Sequence, residues 1–137
     1  MKVLLDTNVW ISGLLWGGMP NQIVKLARSG QIMAIVSIEI LNELRNTLGY
    51  PKLQAQLSRL GETAETLLQA IEEVSVCVAA KTIVVPELRD PQDAIVLAAA
   101  LAGNAEVVVT GDQDLLVLGR FEGVEILTPA DFLGRYF

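Results

Sequence analysis

The segment Val107-Val108-Val109-Thr110-Gly111-Asp112-Gln113-Asp114 reads as a short buried strand that runs into a glycine turn and two acids flanking one residue. Three consecutive β-branched residues leave the strand no polar face. That fits a parallel sheet covered on both sides. A following helix start would use one acid. A second acid, beside a Gly that permits an unusual backbone turn, points to an ion site.

Working outward, Lys2–Leu5 is a second apolar run, and it ends at Asp6. Residues 32–36 and Val124–Leu127 are further strands, and residues 74–79 and 83–85 are extended, with at least one of them expected to pair into the sheet. Helices alternate with these strands. One is opened by Pro20, runs through Ile23, Val24, Leu26 and Ala27, and is stopped by Gly30. Ser37 is the expected N-cap of another, with Glu39 in its first turn and Ile40, Leu41, Leu44 and Leu48 at core spacing. After Pro51 a helical region covers residues 52–73, interrupted near Gly61. Asp90-Pro91-Gln92-Asp93 opens a helix that ends at Gly103-Asn104, and Thr128-Pro129 opens the last one. This alternation predicts an α/β fold, in which sites form beyond the carboxyl ends of the strands where strand order reverses.

The chain has 137 residues, 52% of them apolar, which suits one domain over residues 1–137 with a substantial core. The longest apolar run, residues 94–102, is too short to cross a bilayer. The first five residues reach Asp6 too soon for a signal peptide. Cys77 is the sole cysteine, so no internal disulfide forms, and a reduced cytoplasmic setting is expected. Histidine is absent, which excludes a Ser-His-Asp triad and a His-ligated zinc. There is no GxxxxGK or GxGxxG loop. Any chemistry therefore falls to carboxylates. Clustered carboxylates repel unless a cation neutralises them, which points to Mg²⁺ or Mn²⁺. The net charge of −6 and the scattered basic residues weigh against passive nucleic-acid binding. They weigh less against a metal-dependent nuclease.

The candidate acids are Asp6, Glu43, Asp93 and Asp112, each with a plain structural reading beside the chemical one. Asp6 suits a helix cap, with Asn8 and Ser12 placed to orient it. Glu43 shares a helix row with Ile40 and Thr47, and would otherwise be a surface residue near Arg45 or Asn46. Asp90 suits an N-cap and Asp93 the third helical position, a pattern repeated at Thr128-Pro129-Ala130-Asp131, where no chemistry is assigned. Gly17-Gly18 reads as a turn. Trp10 and Trp16 read as core residues rather than base-stacking platforms.

Four segments, in order and spanning nearly the whole chain, resemble the PIN-domain ribonucleases found as toxins of bacterial and archaeal toxin–antitoxin pairs. They are Leu5-Asp6-Thr7-Asn8-Val9 with Ser12-Gly13-Leu14-Leu15-Trp16-Gly17-Gly18, then Glu39-Ile40-Leu41-Asn42-Glu43-Leu44, then Arg89-Asp90-Pro91-Gln92-Asp93, then Val109-Thr110-Gly111-Asp112-Gln113-Asp114-Leu115-Leu116. The resemblance implies a three-layer α/β/α fold with a parallel five-stranded sheet ordered 3-2-1-4-5, which brings Asp6 beside Asp112. It places Asp6, Glu43, Asp93 and Asp112 on the family's acidic positions, with Asp6, Asp93 and Asp112 as metal ligands. Asn8, Thr110, Asp114 and Asp90 take supporting positions. It further implies Mg²⁺- or Mn²⁺-dependent cleavage of RNA to 5′-phosphate and 3′-hydroxyl ends, a small antitoxin partner, and a homodimer. Gln92 and Ala94 stand where relatives often carry a further acid or Asn, which bears on the division of labour between Asp90 and Asp93. The residues alone also admit a phosphatase with Asp6 as nucleophile, although Asn8 stands where such enzymes usually place a second Asp. They equally admit a non-enzymatic partner-binding module.

Overall fold

The computed structural model describes residues 1–137. In chain order the elements are β1 (Lys2–Leu5), α1 (Thr7–Leu15), α2 (Gly18–Arg28), β2 (Met33–Ser37), α3 (Ile38–Leu48), α4 (Pro51–Leu60), α5 (Ala64–Val74) and β3 (Ser75–Val78). They continue with α6 (Pro91–Ala102), β4 (Val107–Val109), α7 (Gln113–Leu116), β5 (Arg120–Phe121), β6 (Val124–Leu127) and α8 (Pro129–Tyr136). The sheet order is β3-β2-β1-β4-β6-β5. Five strands run parallel in the order expected from sequence. β5 adds a two-residue antiparallel edge, with Arg120 opposite Glu125 and Phe121 opposite Val124, that the sequence does not lead one to expect.

The apolar runs are the strands for the reason given above. Val3, Leu4, Leu5 and all of β4 are fully buried, so helices cover the sheet on both faces. β1 pairs with β2 on one side and β4 on the other, with Leu5 opposite Val109. The chain thus leaves β1 in one direction through β2 and β3, then crosses back through α6 to β4. The reversal lies between β1 and β4, where their carboxyl ends release Asp6 and Thr110 side by side. Asp6 N–H continues the ladder by donating to the Val109 carbonyl at 3.0 Å.

Local chemistry starts the helices as expected. Ser37 accepts from Ile40 N–H and Thr128 from Asp131 N–H; Thr63, which the sequence reading did not single out, does the same for Thr66 N–H. Gly17 and Gly18 both have positive φ, +91° and +71°, which confirms a turn that side chains resist. Gly13 matters for a different reason: a Cβ there would lie 2.8 Å from the Pro20 carbonyl oxygen, so α1 and α2 approach only because it has none.

The expectation that at least one of residues 74–79 and 83–85 pairs into the sheet holds: β3 supplies that edge, and residues 83–85 join no strand. Two other expectations need adjustment. Trp10 is fully buried as expected, but Trp16 is 51% exposed and is not a core residue. α2 begins at Gly18, before Pro20, because the glycine turn already orients the chain for a helix. No helix is long and apolar enough to cross a membrane.

Candidate active site

Asp6 follows β1 and caps α1. Its Oδ1 accepts from Thr7 N–H at 2.7 Å and from the Thr7 hydroxyl at 3.3 Å, while Oδ2 accepts from the Thr110 hydroxyl at 2.7 Å. Thr110, fully buried at the end of β4, also accepts from Asp112 N–H at 3.0 Å. One hydroxyl thus ties the ends of two neighbouring strands together and fixes both acids. Asp112 Oδ1 accepts from Asp114 N–H at 2.9 Å. Asp90 caps α6 by accepting from Gln92 N–H at 2.9 Å.

The helix-cap readings of Asp6, Asp90 and Asp112 are therefore correct, but each accounts for only part of a carboxylate. Asp93 is different. It sits in the first turn of α6, is 5% exposed, and its Oδ2 is buried without any hydrogen-bond partner. A buried ionised oxygen with no donor is costly. Helix-start grammar supplies no reason for it.

Carboxylate oxygens of Asp93, Asp112 and Asp114 lie within 4.8 Å of one another. Burial, a hydrogen bond with Asp112, and the charges of Asp112, Asp90 and Asp6 push the Asp93 pKa up from 3.8 to about 7. Burial also raises Asp6, against the lowering effect of its Thr110 hydrogen bond. Every one of these influences that raises a pKa is what a cation would relieve.

Glu43 projects from α3 toward the same edge. Its Oε1 accepts from the Thr7 hydroxyl at 3.4 Å, and its Oε2 is buried and unpartnered. Burial, then the charge of Asp6, raises its pKa. It is not the surface residue near Arg45 of the plain reading, since Arg45 reaches Glu65 instead at 3.6 Å.

The structure therefore brings Asp6, Glu43, Asp93, Asp112 and Asp114 to one edge, with Asp90 beside them and Thr110 beneath. Asn8 is exposed and makes no side-chain hydrogen bond to these carboxylates. Sequence reasoning assigned no role to Arg89, which precedes the Asp90 cap. Its guanidinium donates to Asp114 Oδ1 at 3.0 Å and is the cation that meets the cluster directly. No local signal joins residues 25 apart; only the fold does. An all-oxygen donor set with two orphaned buried oxygens fits a hard divalent ion.

No curated protein matches the sequence. Among solved structures, the chain is similar to a chain of VapBC2 from Rickettsia felis, solved bound to a DNA fragment from their promoter. The identity is 18%, the coverage 92% of this chain and 97% of that one, and the TM-score 0.59. It is also similar to the PIN domain of human SMG5, at 14% identity with both chains fully covered and a TM-score of 0.55. These likenesses concern the fold. A family model described as PIN domain matches residues 2–114, covering every acid of the cluster. The chain belongs to the PIN-domain family.

Proposed function

We propose that this protein is a Mg²⁺- or Mn²⁺-dependent endoribonuclease, the toxin of a toxin–antitoxin pair. The observation that carries the reading is the gathering of Asp93, Asp112 and Asp114 within 4.8 Å, with Asp6 tied beside them through the Thr110 hydroxyl and Asp93 Oδ2 buried and unpartnered. Asp6, Asp93 and Asp112 hold the ion; Asp114 and Asp90 support them. A bound divalent ion supplies a lowered water pKa and positive charge for the phosphate and leaving oxygen. The chain's own residues do the rest. Thr110 and Thr7 hold Asp6 in one orientation through both of its oxygens. Glu43 Oε2, free of partners and with its pKa raised, takes the proton of the attacking water.

The antitoxin partner belongs to the same reading, supported by the likeness to VapBC2, and the homodimer is part of the proposal. The phosphatase alternative asks Asp6 to attack phosphorus. Its burial and its three accepted hydrogen bonds disfavour that role. The test is cleavage of RNA by wild type, Asp6→Asn and Asp93→Asn with Mn²⁺ and with EDTA. Wild type should cut only with the ion, and both variants should be folded and inactive. Equal cleavage by all three would overturn the assignment.

A further inference from the structure

We propose that the cleft between residues 80–91 and α6 holds one unpaired nucleotide of the RNA beside the scissile bond, with Arg89 and Lys81 on its phosphates. The proposal rests on the nuclease reading above and adds where the substrate lies. The cleft has a volume of about 470 Å³ and is lined by Ile83, Val85, Leu88, Ala94, Ile95 and Ala98. Val84, another lining residue, is 87% exposed. This explains why residues 83–85, apolar enough for a strand, pair with none: they form a wall.

The cleft and the acid cluster meet at Arg89 and Asp90. Both residues line the cleft, Arg89 donates to Asp114, and the charge of Asp90 bears on Glu43 and Asp93. A chain of net charge −6 holds a polyanion only where cations are placed for it. Lys81 and Arg89 both line this cleft, and Arg89 has a side chain 86% exposed. Glu39, also on the lining, offers an acceptor to a base N–H. Apolar walls for the faces of a base, cations for its phosphates and a size within the usual range for small-molecule sites together describe a nucleotide. Single-stranded RNA is read by splaying such bases out of their stack. The ion pair of Arg89 with Asp114 then has a second use. Neutralising the cluster frees the guanidinium to turn to the phosphate between the cleft and the cut.

The test is an abasic scan. Fluorescein-labelled oligoribonucleotides carrying one abasic ribose at successive positions are bound in EDTA, with affinity read by anisotropy, and cut in Mn²⁺. The proteins are wild type, Ala98→Phe to fill the cleft, Val84→Asp at an exposed position that spares the fold, and Arg89→Ala. One abasic position should weaken wild-type binding by about tenfold. Ala98→Phe and Val84→Asp should weaken the intact oligonucleotide comparably yet bind the abasic one like wild type, because the two losses are one interaction. With Ca²⁺ in place of EDTA to neutralise the acids, Arg89→Ala should lower the salt slope of binding by about 0.7; in EDTA, where Arg89 stays on Asp114, it should leave the slope unchanged. Abasic and intact RNA binding equally at every position would overturn the proposal. So would normal RNA binding by both cleft variants with loss of a small co-expressed protein partner, which would give the cleft to a protein segment. Wild type that binds as predicted but cuts nothing in Mn²⁺ would fail the nuclease reading and leave the cleft standing.

Discussion

Replacing the Asp93 carboxylate by the neutral amide of asparagine should stabilise the metal-free protein, and do so only near and above neutral pH. The group's pKa rises from 3.8 to about 7, chiefly through burial and then through Asp112. A rise of that size corresponds to roughly 4 kcal/mol of penalty on the charged form. Neighbouring charges supply part of that rise, so the burial of the Asp93 side chain itself carries about 2–4 kcal/mol. Above pH 7 the group is ionised in both folded and unfolded chains and the full penalty applies. As pH falls through 7 the folded state takes up a proton first, and stability rises until about pH 4, where both states are protonated. Wild type in EDTA should therefore be more stable at about pH 5 than at about pH 8. The amide carries no charge and can donate to Asp112, so Asp93→Asn should show a shallower slope, the remainder coming from the raised Asp6 and Glu43, and should melt about 5–10 °C above wild type at pH 8. Urea unfolding at the two pH values measures it. Mn²⁺ at about a thousand times its dissociation constant should add about 4.1 kcal/mol to wild type at pH 8 and bring it level with the variant or above it. A flat wild-type profile across this pH range, or a variant less stable at its alkaline end, would refute the view of Asp93 as a repelled buried charge.

Thr110→Val removes the hydroxyl that joins Asp6 to Asp112 N–H. It should cost about 1–3 kcal/mol in chemical denaturation and weaken Mn²⁺ binding about tenfold by calorimetry; unchanged Mn²⁺ affinity would show that the hydroxyl does not position the acids. Gly13→Ala sets a methyl 2.8 Å from the Pro20 carbonyl oxygen, where the obstacle is backbone. A loss of about 1–3 kcal/mol is expected from thermal melts, and a neutral result would mean that α1 and α2 separate freely.

Much of the fold could be read from sequence because parallel strands buried on both faces appear as plain apolar runs. Lys2–Leu5, Val107–Val109 and Val124–Leu127 fall where that rule puts them. The rule fails on residues 83–85, because three apolar residues suit a cleft wall as well as a strand. It also misses Arg120–Phe121, too short to show a period. There the signal was Glu122-Gly123, both with positive φ, which turn the chain back into β6. The acids were found as residue types at element ends, and their order along the chain suggested convergence. What sequence could not supply was the wiring between segments. Thr7 reaches Glu43 and Arg89 reaches Asp114 only after the sheet has formed. Nor does a local pattern distinguish Asp90, a satisfied cap, from Asp93 three residues on, whose oxygen is stranded.

Calorimetric titration of Mn²⁺ into the metal-free protein at about neutral pH, repeated in two buffers of different ionisation enthalpy, addresses the site most directly. Wild type should bind the ion and release the proton that Asp93 holds near neutral pH, while Asp93→Asn and Asp112→Asn should each lose most of the affinity. Wild type that takes up no Mn²⁺, or three proteins that bind it alike, would contradict the assignment of these carboxylates as a divalent-ion site.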